Sequence, residues 1–89
     1  MTGSELISQE REEQIKKHGR SIEDDINENE DGQLSLAARI LSQPTIEDAQ
    51  GPPYMWDSPI WYKMIKKSYK ERLIIAGALL AAEIDRMNN

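Results

Sequence analysis

Residues 68–87, SYKERLIIAGALLAAEIDRM, are the stretch that decides the fold. Ser68 followed three residues later by Glu71 is a capping-box pattern, which predicts that a helix begins there. Apolar residues and one glycine then recur at steps of four and three and share one helix face: Leu73, Gly77, Leu80, Ile84 and Met87. A glycine within a helix costs about 1 kcal/mol relative to alanine. We therefore expect another helix to pass close to Gly77.

Length and composition favour one soluble domain spanning residues 1–89. The chain has no cysteine, which excludes disulfides and thiolate metal sites and fits a cytoplasmic location. Charged residues stand where a signal peptide needs an apolar core, so secretion is not expected. The longest apolar run, residues 73–82, is half as long as a membrane span requires. We therefore expect no membrane association.

Local signals predict an all-α bundle of three or four helices. Asp31 can cap a helix that Pro44 ends, and Ser58-Pro59 is a typical helix start. No segment shows the alternation of a strand. The predicted elements are a helix over 4–18, a helix over 32–42, a Pro/Gly-rich loop over 43–58, a short helix over 59–66 and a dominant helix over 68–87.

Charge is distributed unevenly along the chain, whose net charge is −5. Residues 1–50 carry a net −7 and residues 51–89 a net +2. The overall excess of acid argues against general nucleic-acid binding. A local basic cluster, opposed only by Glu71, comprises Lys63, Lys66, Lys67, Lys70 and Arg72. Such a cluster can hold a small anion or a nucleotide phosphate, or it can be a solvated helix face.

All five aromatic residues lie within sixteen positions: Tyr54, Trp56, Trp61, Tyr62 and Tyr69. Each ring carries a polar group, which suits the rim of a pocket, and flat rings can stack on a purine. The alternative is that Trp56 and Trp61 fill the core. Arg11 and Arg20 would add a second wall of positive charge to a pocket. The candidate ligand-binding residues are Arg11, Arg20, Tyr54, Trp56, Trp61, Tyr62, Lys63, Lys66, Lys67 and Arg72.

An acidic segment over residues 20–31 partly resembles the opening of a calcium loop, through Asn27, Asn29, Asp31 and Gly32. The first position lacks the required Asp, and the twelfth is Ala38, where a bidentate Glu is needed. A solvated acidic loop is the better interpretation.

Carboxylates on two helices suggest an all-helical nucleotide pyrophosphohydrolase. Its E-E-x-x-E and E-x-x-D patterns are matched only superficially by Glu10, Glu12, Glu13, Glu83 and Asp85. Lys16 stands where the third acid belongs, and two acids that are two residues apart point to different faces. The sole histidine, His18, fits a helix C-terminus. We therefore expect neither catalysis nor a metal or cofactor.

The order of these residues resembles a family of small proteins common in bacteriophages and prophages. In the first half the matching residues are Ile7, Glu10-Arg11, Gln14-Ile15, Gly19, Glu23-Asp24-Asp25, Gly32-x-Leu34 and Ala37-Ala38. In the second half they are Pro52-Pro53, Trp56-Asp57, Trp61, Lys63, Arg72, Ala76-Gly77-Ala78-Leu79 and Ala82-Glu83-Ile84-Asp85-Arg86. That family in turn resembles the ryanodine-receptor-type repeat (RyR) domain. Arg20 stands where such relatives have a tryptophan after the turn glycine, and Ile26-Asn27 where they often have a histidine.

The resemblance implies a binding module in the host cytoplasm rather than a catalyst. Such domains are thought to recognise nucleotide-derived ligands, so we expect a sponge that sequesters an immune signalling nucleotide without hydrolysing it. The alternative is a protein–protein adaptor that inhibits or recruits a host factor through its acidic half. We also expect a homo-oligomer, because Ala76-Gly77-Ala78 permits close approach of a symmetry mate unless helices of the same chain cover that face.

Overall fold

A computed structural model describes residues 1–17, 31–46, 51–54 and 56–88 of the chain. These residues form four helices and no strand: α1 (Gly3–Lys17), α2 (Gln33–Leu41), α3 (Ser58–Ile65) and α4 (Tyr69–Met87). The all-helical class is therefore confirmed, and each helix begins and ends within a residue of its prediction. Within the described ranges, no helix is long and apolar enough to cross a membrane.

The helix starts agree with their sequence signals in one case and shift in two. Ser68 caps α4, because its hydroxyl accepts from the Glu71 amide at 3.2 Å. The cap of α3 is Asp57, one residue before the predicted Ser58, and its carboxylate accepts from the Ile60 amide at 3.2 Å. At α2 the capping position belongs to Gly32 instead of the predicted Asp31, and it has a left-handed φ of 80°. A residue with a side chain is strained at that φ, so glycine is required there.

The core forms where α2 and Trp61 of α3 pack against α4. On α2 the residues Leu34, Ala37 and Leu41 recur at helical spacing and have no exposed surface. On α4 the buried apolar residues are Ile75, Ala76, Ala78, Leu79 and Ala82. Three of these five residues are alanines, and α4 is the helix against which both α1 and α2 pack.

The apolar face of α4 that was predicted to pack inside the bundle is largely exposed to solvent. Leu73, Leu80, Ile84 and Met87 are 40, 48, 58 and 70% exposed. The prediction of the inward face was therefore wrong by roughly a third of a turn or more. Two apolar arcs run along α4, and the arc with the smaller side chains faces α2. We call the outer four residues the α4 stripe.

Gly77 marks a close helix contact, as its cost in the helix predicted. A Cβ atom added at this position would lie 2.5 Å from Cδ1 and 2.8 Å from Cγ1 of Ile7. The neighbour is thus α1 of the same chain, reached through one side chain. Ala76 and Ala78 are also buried within the chain. The small-residue stretch is therefore not open to a symmetry mate, contrary to the expectation.

Candidate functional site

The two tryptophans differ in exposure. Trp61 is completely buried in the core, whereas Trp56 is partly buried and packs against it. Their rings meet edge to face, with centroids 6.1 Å apart and planes at 78°. The prediction that Trp61 lines a ligand pocket is corrected on this point, because a ring without exposed surface cannot stack on a ligand. Its neighbour Tyr62 is 38% exposed, since successive helix positions point about 100° apart.

Arg72 is buried and holds the C-terminal end of α2. Its Nη1 donates to the carbonyls of Leu41 and Gln43 at 3.1 and 2.6 Å, and Nη2 donates to that of Pro44 at 3.2 Å. Nε donates to the Lys67 carbonyl at 3.1 Å. A helix leaves its last carbonyls without partners in the helix, and this guanidinium supplies donors there. Its predicted role as a ligand cation is therefore corrected to a structural one.

The structural role of Arg72 was not predicted, although its position in the sequence indicates that it lies on the buried face of α4. Arg72 precedes Ile75, Ala76 and Leu79 at steps of three, four and seven, which is the spacing of one helix face. Once that arc faces inward, its arginine must also lie inside and needs acceptors.

Arg11 is also buried, between α1 and α4. Its Nη2 lies 3.4 Å from Oδ2 of Asp85. Gln14, one turn further along α1, is buried as well, and its amide donates to Glu10 at 3.3 Å. Arg11 therefore joins two helices of the bundle instead of forming the predicted charged wall of a pocket.

The remaining cations and two tyrosines lie around the turn that joins α3 to α4. All six side chains are exposed: Tyr62, Lys63, Lys66, Lys67, Tyr69 and Lys70. We call this set the basic surface. The one acid near it along the chain, Glu71, lies 3.7 Å from the Lys67 ammonium. The Arg72 guanidinium lies 5.6 Å from the centre of the Tyr69 ring, which fixes that ring at the edge of the surface.

The other predicted candidates are separated or fall outside the described residues. Tyr54 is 71% exposed, in the segment that precedes α3. Arg20 and His18 lie outside the described ranges, as does most of the acidic segment with its calcium-like pattern. The structure therefore brings together Tyr62, Lys63, Lys66 and Lys67 of the predicted ligand set, but removes Arg11, Trp61 and Arg72 from the solvent.

Two of the five carboxylates considered for a hydrolase have basic partners in this fold. Glu83 pairs with Arg86 on the same helix, and Asp85 pairs with Arg11. In the described part of the chain, no group of three His, Cys, Asp or Glu side chains is arranged to hold a metal ion. The geometry thus adds no support to the pyrophosphohydrolase alternative.

The outer side of α1 carries a shallow open depression, lined by Met1, Ser4, Glu5, Ser8, Gln9 and Glu12. Glu5 accepts from the amide and the hydroxyl of Thr2 at 3.0 and 2.9 Å, which caps α1. These hydrogen bonds stabilise the carboxylate and hold the pKa of Glu5 below its usual range.

Comparison with known proteins gives no further assignment. No protein-family model matches the chain, and searches of curated proteins and of solved structures found no match either.

Proposed function

We propose that this chain is a non-enzymatic binding module that holds a small anionic, nucleotide-derived ligand at the basic surface. The observation that carries the proposal is the exposure of four lysines beside Tyr62 and Tyr69, in a stretch of sequence, residues 58–82, whose one acid is Glu71. Lysine ammonium groups neutralise phosphate as point charges. Tyrosine rings stack on bases, with about 1–3 kcal/mol per base in nucleic-acid complexes.

Ligand capture at this surface differs from capture in an enclosed pocket. The lysines are exposed around the turn that joins two helices, so a ligand keeps part of its solvent contact there. Binding then depends mainly on charge, and its affinity falls steeply as salt increases. Trp56 and Tyr54 precede the basic surface along the chain and are the remaining exposed or half-exposed rings that a base can contact.

The resemblance to small phage proteins favours a signalling nucleotide of host defence as the ligand. A protein with this role would act as a sponge, by holding the messenger in stoichiometric amounts without changing it. Nothing in this mechanism requires a general acid, a nucleophile or a metal.

Calorimetric titration with cyclic dinucleotides, cyclic trinucleotides and cyclic ADP-ribose isomers tests the proposal. We expect heat with at least one of them, and an affinity that falls at least tenfold in the double variant Lys63→Glu/Lys66→Glu. Lys16→Glu on α1 is the matched control, because Lys16 is an exposed lysine of another helix. Absence of heat with every nucleotide would overturn the proposal, and so would an equal loss in the control.

A second candidate, a protein–protein adaptor, is favoured by the outer side of α1. That side presents Glu5, Ser8, Gln9 and Glu12 to solvent, and an acidic polar helix suits a basic partner surface. Affinity capture from a bacterial lysate with wild-type and Glu12→Lys protein tests it. A stoichiometric host protein retained by the wild type and released by the variant would support the adaptor over the sponge.

A further inference from the structure

We propose that the α4 stripe is an interface between two copies of this chain, paired antiparallel about a two-fold axis through Leu80. The stripe consists of Leu73, Leu80, Ile84 and Met87, each 40–70% exposed. This interface is independent of the basic surface, and it uses the large side chains of α4 instead of the small-residue stretch around Gly77.

The α4 stripe exposes a large apolar area. A fully exposed large aliphatic residue presents roughly 200 Å², so the four exposures leave about 430 Å² of largely apolar surface. Contiguous patches of that size on small soluble proteins often mark binding sites. Two copies would bury at most about 860 Å² through these four residues, which approaches the roughly 1,000 Å² of a biological interface and requires flanking residues to supply the rest.

The spacing of the α4 stripe is symmetric about Leu80, so two copies of the stripe can match each other. Leu73 and Met87 each lie seven residues from Leu80, in opposite directions. A two-fold axis through Leu80 therefore places Leu73 of one copy opposite Met87 of the other, and Leu80 against its own equivalent. An interface of this kind is closed, because the same patch is used on both chains.

The charges near the N-terminal end of α4 favour antiparallel pairing. The N-terminal end of α4 follows three lysines, namely Lys63, Lys66 and Lys67, and itself carries Lys70. Parallel pairing would place two such clusters side by side. Antiparallel pairing instead sets Lys70 near the C-terminal end of the partner helix, where the helix dipole is negative. Charge therefore selects the antiparallel arrangement that the spacing of the stripe permits.

Sedimentation equilibrium of the full chain over about 1 µM to 1 mM tests the interface across the range from firm to weak association. We expect the wild type to approach twice the chain mass of 10.2 kDa and Leu80→Glu to stay monomeric, with association weakened at least 100-fold. Ile60→Glu is the matched control, because Ile60 lies on α3 and is 53% exposed against 48% for Leu80. The control should associate like the wild type. Far-UV circular dichroism establishes that all three proteins are folded, and Ile84→Glu replaces Leu80→Glu if the latter does not fold.

Cross-linking tests the direction of pairing. Since the natural chain has no cysteine, single cysteines report contacts without interference. Oxidation of a mixture of Leu73→Cys and Met87→Cys chains should give mainly the mixed disulfide, and Ile60→Cys should give none above background. A wild type that remains at 10.2 kDa up to 1 mM overturns the proposal, and its stripe then meets a different partner or another part of the chain. Self-association that survives both charged substitutions, or preferential disulfides between identical chains, would also overturn it.

Discussion

Replacing Arg72 with methionine removes the guanidinium that holds the end of α2 and keeps an apolar stem in its place. Four carbonyl groups lose their donor, and the Leu41 carbonyl among them accepts in a buried position. Hydrogen bonds to charged groups contribute about 1.5–3 kcal/mol each, but water can replace the donor at partly exposed carbonyls. We therefore expect Arg72→Met to lower the free energy of unfolding by about 3–4 kcal/mol, dominated by the buried acceptor.

The size of that loss matters because the chain is small. At about 0.05–0.15 kcal/mol per residue, 89 residues give a total stability of roughly 4–13 kcal/mol. The variant should thus lose a large share of its stability. Arg72→Lys keeps the charge but lacks the planar fork that reaches several carbonyls at once, so we expect it to recover less than half of the loss.

Urea denaturation followed by circular dichroism measures these differences. Lys70→Met is the matched control, because Lys70 is an exposed cation on the same helix, and its effect should stay within about 0.5 kcal/mol. An Arg72→Met variant that unfolds within about 1 kcal/mol of the wild type would refute the structural role. Equal stability of Arg72→Lys and the wild type would refute the argument from several simultaneous hydrogen bonds.

Three further substitutions have defined outcomes. Gly77→Ala should destabilise the fold by about 1 kcal/mol, because overpacking against the stiff Ile7 side chain outweighs the gain in helix propensity. Urea denaturation of the double variant with Ile7→Ala should show this penalty removed. If the free-energy changes of the two single variants simply add in the double variant, the contact is contradicted. Trp61→Ala should cost about 3–5 kcal/mol by the same measurement, as expected for a buried ring, and a stable variant would restore the ring as a candidate ligand wall. Because the pKa of Glu5 is lowered in the folded state, its contribution to stability is present above the unfolded pKa and is lost as pH falls through the folded value. An NMR titration of Thr2→Ala should show the pKa of Glu5 rise by only part of the shift, because the backbone amide of residue 2, the larger cause, is retained; an unchanged value would exclude the hydroxyl as a contributor.

The four helices were predictable because their signals are local. Ser68 with Glu71, the proline after Ser58 and the apolar spacing of α2 each act within about two turns of chain, and each is realised within a residue. The capping residues Gly32 and Asp57 were harder to predict. A side-chain cap and a left-handed glycine are alternative solutions at one helix start, and the wider packing of the chain decides between them.

The inward face of α4 was not predictable from periodicity alone. Both arcs of this helix are apolar, and hydrophobicity favours the one with Leu80 and Ile84. The fold instead buries the arc with Ile75, Ala76, Leu79 and Ala82, which gains dispersion contacts in the core that α2 and Trp61 share with this helix. That gain belongs to the pair of helices, so neither sequence alone reveals it.

Clustering along the chain was equally ambiguous for the site. Trp61 and Tyr62 are adjacent in sequence, yet one is buried and the other exposed, since a helix turns them to different sides. Lysines are easier to place, because their desolvation is costly and four of them cannot all be paired by Glu71. The lysines of the predicted ligand set are therefore exposed, as expected. In contrast, Arg11, Arg72 and Trp61 are buried and stabilise the fold.

The burial of one face of α4 determines which residues of this helix are exposed, both along the α4 stripe and at the basic surface near its N-terminal end. When the arc with Ala76 turns inward, Leu80 and its stripe face solvent, and Lys70 lies at one end of that stripe. In the antiparallel pair the two Lys70 residues are about 30 Å apart along the helix, at 1.5 Å per residue. That separation exceeds the Debye length of about 8 Å at physiological salt several-fold. The two basic surfaces would therefore not repel each other across the pair, so that self-association and ligand binding are compatible.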